Sequence, residues 1–160
     1  MSGKILLLSL QPQFAEKVFD GTKKVELRRT WPKVTIDTVL VYVSTPVKAL
    51  VGAFTVAQIM EGNPTYLWGK VRRHAGITRK QFDDYYAGAL KGYGIFFSDI
   101  KTLPSPVELS QLRELWTDFH PPQSYRYMDA KAVERLELLS LTSSSKIIKG
   151  ALRNSARQTI

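Results

Sequence analysis

A short segment near the N-terminus carries charged side chains in an alternation that could hold an anion or read a base. In GTKKVELRRT, residues 21–30, a period of two places Lys24, Glu26 and Arg28 on one face of a predicted strand. Two cations beside one carboxylate can bind a phosphate, while the carboxylate orients them or accepts a hydrogen bond from an exocyclic amine. The alternative is a solvated strand face with surface ion pairs, each worth only about 0 to 1 kcal/mol.

The elements that position this segment are predicted from apolar periodicity and turn residues. Lys4–Leu10 is a short apolar strand, and Pro12 starts a helix that ends at Gly21. A second strand covers residues 23–29. The pattern predicts further strands at residues 38–43, 50–60 and 93–100, the last ended by Pro104 and Pro106, and helices at residues 109–116 and 129–139. Gly52 is typical of a β-bulge.

Further polar and aromatic candidates lie outside this segment. Between residues 65 and 90 the period becomes helical, so two helices interrupt the strands, the second capped by Thr78. Basic and aromatic residues alternate there, which suits phosphate contact and base stacking or, alternatively, a solvated face over a core. The candidate binding residues outside the charged segment are Ser9, Tyr42 and Ser44 at strand ends, Arg72 and Arg73 in the insertion, and Tyr125 and Arg126 in a predicted rigid loop after a diproline.

Composition limits the class of protein. The 160 residues suit one domain, predicted at 1–140, followed by a basic, flexible tail at 141–160. The formal net charge of +9 favours a polyanionic partner. The chain has no cysteine and only two histidines, so we expect no disulfide, no metal and no cofactor. No apolar run approaches the ~20 residues of a membrane span, so we expect a cytoplasmic protein.

The charged segment resembles that of a known family. Gly21, Lys23, Glu26 and Arg28 match the Gly-x-Lys-x-x-Glu-x-Arg pattern of ASCH domains, members of the PUA-like superfamily of small β-barrels associated with RNA. The resemblance extends over about residues 4 to 103. It agrees with the element order in implying an α+β fold, a small PUA-like mixed β-barrel of about five or six strands with flanking helices and a helical insertion.

The resemblance also implies a cleft lined by Lys23, Glu26 and Arg28 that takes RNA or a nucleotide-like ligand. Some small members resemble amidohydrolases that act on acylated cytidine with a lysine, a threonine and a glutamate, and others are described as ribonucleases. Lys23 matches that lysine, but Glu26 stands where the threonine would be. The later segment that would supply the glutamate offers no carboxylate before Asp83.

Three functions remain open on the sequence. The first is an RNA- or nucleic-acid-binding protein whose cations contact phosphate. The second is a metal-independent ribonuclease or nucleoside amidohydrolase in which Lys23 and Glu26 are catalytic. The third is a protein-binding adaptor in which the segment is structural. Salt separates them, because phosphate binding weakens steeply with added salt and an apolar interface does not.

Overall fold

Six strands form one mixed sheet in the computed structural model, which describes residues 3–142. They are β1 (Lys4–Leu10), β2 (Val25–Arg28), β3 (Ile36–Val43), β4 (Ala49–Gly62), β5 (Gly92–Glu108) and β6 (Tyr125–Met128). Their order is β2-β5-β4-β3-β1-β6; β1 and β3 are parallel and the other neighbours antiparallel. The α+β class is confirmed. The barrel is not, because β2 and β6 lie at opposite edges and the sheet is open.

Five helices surround the sheet: α1 (Pro12–Phe19), α2 (Pro64–Val71), α3 (Arg79–Tyr85), α4 (Leu109–Leu115) and α5 (Ala130–Thr142). The predicted insertion between β4 and β5 is confirmed as α2 and α3. Thr78 caps α3, since its side chain accepts a hydrogen bond from the Gln81 amide. None of the helices within residues 3–142 is long and apolar enough to cross a membrane.

The sheet is packed on both faces, which explains the continuous apolar run of β1. On one face Leu6 and Leu8 lie in a cluster that includes Val18 of α1. On the other face Leu7 packs with Leu112 of α4. A third cluster lies under the insertion and is built from Val25, Leu27, Leu67, Val71, Ala75, Phe82 and Tyr86. The insertion therefore anchors β2, the edge strand of the charged segment.

Strand β5 is longer than predicted, because it continues beyond residue 100 through Pro104 and Pro106 to Glu108. Its pairing with β4 passes from Thr102 directly to Val107, so neither proline occupies a ladder position that needs an amide donor. The register of β4 shifts between Leu50 and Gly52 at the same place. The bulge predicted at Gly52 is confirmed.

The segment after the diproline is a strand, so the predicted rigid loop at Tyr125 and Arg126 is wrong. β6 pairs antiparallel with β1, with Tyr125 opposite Leu8 and Arg126 opposite Leu7. β1 supplies the backbone hydrogen-bond partners that make this segment a strand, and the sequence pattern does not predict this pairing. The predicted domain boundary at residue 140 falls within α5, and residues 143–160 of the predicted tail lie outside the described part of the chain.

Candidate functional site

The alternation of β2 turns two charged side chains away from the insertion. Val25 and Leu27 pack under α2 and α3, so Glu26 and Arg28 project from the opposite face of the strand. Glu26 is only 5% exposed. A buried carboxylate at the edge of a sheet needs partners, because burial without compensation is costly.

Lys23 supplies the closest of these partners. Its amide donates to the Lys17 carbonyl at 2.9 Å, and its side chain is 5% exposed. Lys23 Nζ lies 3.0 Å from Glu26 Oε1, which also accepts from the Leu27 amide at 2.9 Å. The prediction that Lys24 shares a strand face with Glu26 is wrong. β2 begins only at Val25, and the Lys24 side chain is exposed.

Arg28 lies on the other side of the Glu26 carboxylate. Its guanidinium crosses the gap between β2 and the edge of the sheet formed by β1 and β6. Its Nη2 lies 3.6 Å from Glu26 Oε2 and donates to the Ser9 carbonyl of β1 at 3.2 Å. Its Nη1 lies 3.4 Å from Ser124 Oγ, just before β6. Glu26 Oε2 and Arg28 Nε are buried without a hydrogen-bond partner among the described residues. One acceptor and one donor at this site are thus left without a hydrogen bond to the described part of the chain.

These side chains line an open cavity of about 260 Å³, which we call the β2 cavity. Phe14 of α1 and Tyr85 of α3 add aromatic surface, and Lys23 Nζ lies 5.0 Å from the centre of the Phe14 ring. The lining residues are Ser9, Leu10, Gln11, Phe14, Lys23, Glu26, Leu27, Arg28, Tyr85 and Gln123. Two cations, one carboxylate and two aromatic rings therefore converge on one volume.

Two tyrosines of the insertion hold β2 in place beside this cavity. The Tyr85 hydroxyl donates to the Leu27 carbonyl at 3.3 Å, and the Tyr86 hydroxyl donates to the Arg28 carbonyl at 3.1 Å. Burial raises the pKa of both tyrosines above the ordinary value, so both remain neutral donors at physiological pH. The insertion thereby fixes the backbone that carries Glu26 and Arg28.

Glu26 is a carboxylate at neutral pH. Burial by itself would raise its pKa, but the charges of Lys23 and Arg28 and hydrogen bonds from Lys23 and the Leu27 amide outweigh burial, so the pKa lies below the usual range. A depressed pKa in the folded state means that the ionised group stabilises the fold above its unfolded pKa of about 4.3. This contribution disappears as the pH falls through the folded pKa.

We therefore expect the free energy of unfolding to decrease less steeply below about pH 5 in Glu26→Gln than in the unmodified protein. The neutral amide keeps the shape of the side chain but removes the proton-linked contribution. Urea denaturation from pH 3 to 7 measures the difference, with the exposed Glu114→Gln as the matched control. Parallel curves for the unmodified protein and Glu26→Gln would contradict the assignment.

Two predicted binding residues lie away from the β2 cavity. Tyr42 is 2% exposed and packs against Phe119, because the alternation of β3 turns it to the sheet face opposite Val41 and Val43. Ser44 follows β3, where its amide donates to the Leu10 carbonyl and its carbonyl accepts from the Val47 amide. Neither residue lines the β2 cavity.

The other predicted cations and aromatic residues are also separated from it. Arg72 and Arg73 are exposed just after α2 and do not line the β2 cavity. Tyr125 packs on Trp31, with ring centres 6.1 Å apart, on the face that carries the first core cluster. Arg126 projects to the other face, with its guanidinium 5.2 Å from the centre of the Phe119 ring. Of the predicted residues, the structure thus brings together Ser9, Lys23, Glu26 and Arg28, with Tyr85 from the basic and aromatic stretch of the insertion.

Phe14, Gln123 and Ser124 were not among the predicted sites, whereas Ser9 and the aromatic residues of the insertion were candidates. Phe14 has the helical spacing of a core residue, and Tyr85 belongs to a stretch in which aromatic residues also pack under α3. Gln123 and Ser124 precede β6, a strand that the sequence pattern does not predict. No group of three potential metal ligands occurs within residues 3–142. Neither histidine lines the cavity.

Comparison with known proteins agrees with this architecture. The ASCH domain family matches residues 8–96. An "ASCH domain-containing ribonuclease" of Zymomonas mobilis is 33% identical over 141 residues, which are 88% of this chain and 93% of that protein. The crystal structure of ASCH from Zymomonas mobilis has a TM-score of 0.80 at 31% identity and covers 85% of this chain and 95% of that chain.

A more distant structure shares the fold alone. The N-terminal domain of Staphylothermus marinus McrB has a TM-score of 0.56 at 10% identity, and the match covers 86% of this chain and 95% of that one. The family match covers more than half of the chain, and it includes the whole charged segment, the end of β1 and all of β2 to β4. The chain therefore belongs to the ASCH domain family.

Proposed function

We propose that this protein binds RNA at the β2 cavity. The observation that carries the proposal is the pair of buried atoms, Glu26 Oε2 and Arg28 Nε, that have no hydrogen-bond partner among the described residues although their side chains line an open cavity. Such atoms are costly to leave unpaired, so a site that keeps them gains when a ligand satisfies them.

The cavity suits one nucleotide unit of an RNA chain. Arg28 and Lys23 place two positive charges against the single charge of Glu26, which leaves a cationic surface for a phosphate. Glu26 Oε2 can accept a hydrogen bond from an exocyclic amine of a base. Phe14 and Tyr85 offer aromatic faces, and stacking on such faces contributes about 1 to 3 kcal/mol per base.

RNA is favoured over other polyanions by two further facts. The chain carries a formal net charge of +9, which suits a phosphate backbone. Its relative from Zymomonas mobilis, matched over most of both chains, is named a ribonuclease. The binding proposal needs only the cationic cavity, whereas cleavage needs proton transfer as well.

Cleavage of RNA is the second candidate, favoured by the contact of Lys23 with Glu26. The Glu26 carboxylate would accept the proton of a ribose 2′-hydroxyl as its oxygen forms a bond to the adjacent phosphorus. Arg28 would stabilise the charge on the phosphate oxygens, and Lys23 would return a proton to the 5′-oxygen as the phosphorus–oxygen bond breaks. The products would be a 2′,3′-cyclic phosphate and a 5′-hydroxyl. Amide hydrolysis has less support, because Glu26 is the one carboxylate among the residues that line the cavity.

A comparison of neighbouring arginines tests the proposal. We expect Arg28→Gln to weaken the binding of a fluorescein-labelled RNA decanucleotide about tenfold, because it removes a charged phosphate contact from the cavity. Arg29→Gln makes the same charge change at an exposed residue that does not line the cavity, so its affinity should stay within about twofold. Fluorescence anisotropy at two salt concentrations measures both, and circular dichroism confirms the fold.

Gel analysis of the same samples separates binding from cleavage. Cyclic-phosphate products that disappear in Lys23→Gln while the RNA is still bound would establish the ribonuclease. Binding without products would leave an RNA-binding protein. Equal losses of affinity in the two arginine variants would contradict the site, since bulk charge alone would then explain binding.

A further inference from the structure

A second open cavity, of about 290 Å³, lies on the opposite face of the sheet, where β6 and α5 meet the segment after α4. We call it the α5 cavity. Three of its lining residues are cations: Arg126 of β6, and Lys131 and Arg135 one turn apart on α5. The single acidic residue in the lining is Asp129. The α5 cavity is therefore cationic.

None of these cations forms an ion pair with the described residues, and the one carboxylate is already engaged. All five ion pairs found within residues 3–142 involve other side chains. Asp129 Oδ1 accepts a hydrogen bond from the Ala132 amide at 2.7 Å and so caps α5. Lys131 and Arg135 are exposed. The three cations can therefore bind an anion without breaking an ion pair within the described chain.

The aromatic groups of the α5 cavity are occupied by the protein itself. The Arg126 guanidinium lies over the Phe119 ring, and Trp116 Nε1 donates to the Ala132 carbonyl at 3.2 Å. Phe119 is 1% and Trp116 8% exposed, so neither ring is free for a base. The exposed Tyr127 ring lies beside that of Tyr125 on the other face of β6, with ring centres 6.3 Å apart. The available chemistry is that of a phosphate site rather than a base-reading site.

The two cavities are close along the chain. Gln123 lines the β2 cavity and Arg126, three positions further along the chain, lines the α5 cavity, so at most about 10 Å of extended backbone separates them. β6 is an edge strand with no strand beyond it among the described residues. A strand of RNA that passes around this edge can reach both cavities.

We propose that the α5 cavity is a second phosphate-binding subsite, which holds the backbone of the same RNA strand whose nucleotide occupies the β2 cavity. This inference rests on the proposed function. The subsite adds affinity without sequence preference, because its groups contact phosphate and not base edges. It also makes affinity depend on RNA length, since the single internucleotide phosphate of a dinucleotide would lie in the β2 cavity and leave none for the α5 cavity.

The test compares two RNA lengths in a double variant of the full chain. Lys131→Gln with Arg135→Gln should weaken a labelled decanucleotide on the order of tenfold and lower its salt slope by about 1.4, or 0.7 for each lost contact to single-stranded RNA. Binding of a labelled dinucleotide should not change. The control is Lys33→Gln with Lys101→Gln, an equal charge change at two exposed residues that line neither cavity.

Each outcome is informative. Equal losses in the double variant and its control, or equal losses for both RNA lengths, would overturn the subsite and leave the β2 cavity untouched. Arg28→Gln without effect on the dinucleotide would instead refute the proposed function. Absence of RNA binding at either length in the unmodified protein would refute both proposals. A length-dependent loss in the double variant alone supports the subsite.

Discussion

Replacing Glu26 with alanine is expected to lower the free energy of unfolding by about 3 to 5 kcal/mol. The substitution leaves the ammonium of Lys23, whose side chain is 5% exposed, without its carboxylate, and it removes the anion that faces Arg28. It also removes the acceptor of the Leu27 amide. Such a loss is a large part of the 5 to 15 kcal/mol by which domains are commonly stable.

The matched control is Glu61→Ala, which breaks an ion pair with Lys91 whose two side chains are more than half exposed. Solvent screens that pair, so its loss should not shift the urea midpoint measurably. Urea denaturation at neutral pH, followed by tryptophan fluorescence, measures both variants. Similar midpoints for Glu26→Ala and Glu61→Ala would show that the buried pair is far less important than its burial indicates.

Replacing Phe54 with alanine should likewise cost about 3 to 5 kcal/mol, since it removes a large side chain from the core beneath the sheet. Phe54 is 1% exposed, and its ring centre lies 4.5 Å from that of Phe97 on β5. The neighbouring strands and α1 are rigidly packed, so they cannot close the void fully. RNA binding at a temperature where the variant remains folded should be retained, because Phe54 does not line either cavity.

Ile59→Ala provides the comparison on the same strand. Ile59 lies further along β4 and is 40% exposed, so its truncation leaves no enclosed void. We expect a cost below about 1 kcal/mol, measured by the same urea titration. Equal costs at Phe54 and Ile59 would contradict the assignment of Phe54 to the core.

The elements with strong local signals were predictable. β1 and α1 follow from an apolar run, Pro12 and Gly21, and Thr78 marks the start of α3 correctly. β6 was not predictable, because four residues with two exposed side chains form a strand only through pairing with β1. The length of β5 was also missed, since its prolines are tolerated only where the ladder to β4 is interrupted.

The charged segment was identified from its spacing, but the roles within it were set by tertiary contacts. A period of two places Glu26 and Arg28 on the same strand face, as the structure does. The same period predicts Lys24 rather than Lys23 beside Glu26, because the pattern does not show that the strand begins only at Val25. Tyr85 and Gln123 come to the β2 cavity from parts of the chain more than 50 residues beyond β2. No local sequence pattern predicts that these residues lie close to β2 in the folded chain.

The way in which Arg28 spans the open sheet has a consequence for access to the β2 cavity. The gap between β2 and the β1–β6 edge is crossed by the guanidinium, through the Ser9 carbonyl and Ser124 Oγ. Side-chain hydrogen bonds are worth about 0.5 to 1.5 kcal/mol each, far less than a full strand ladder. The width of the gap can therefore change without loss of strand pairing. A phosphate that bound Arg28 would compete with the Ser9 carbonyl and Ser124 Oγ for the same guanidinium donors that now hold the gap closed.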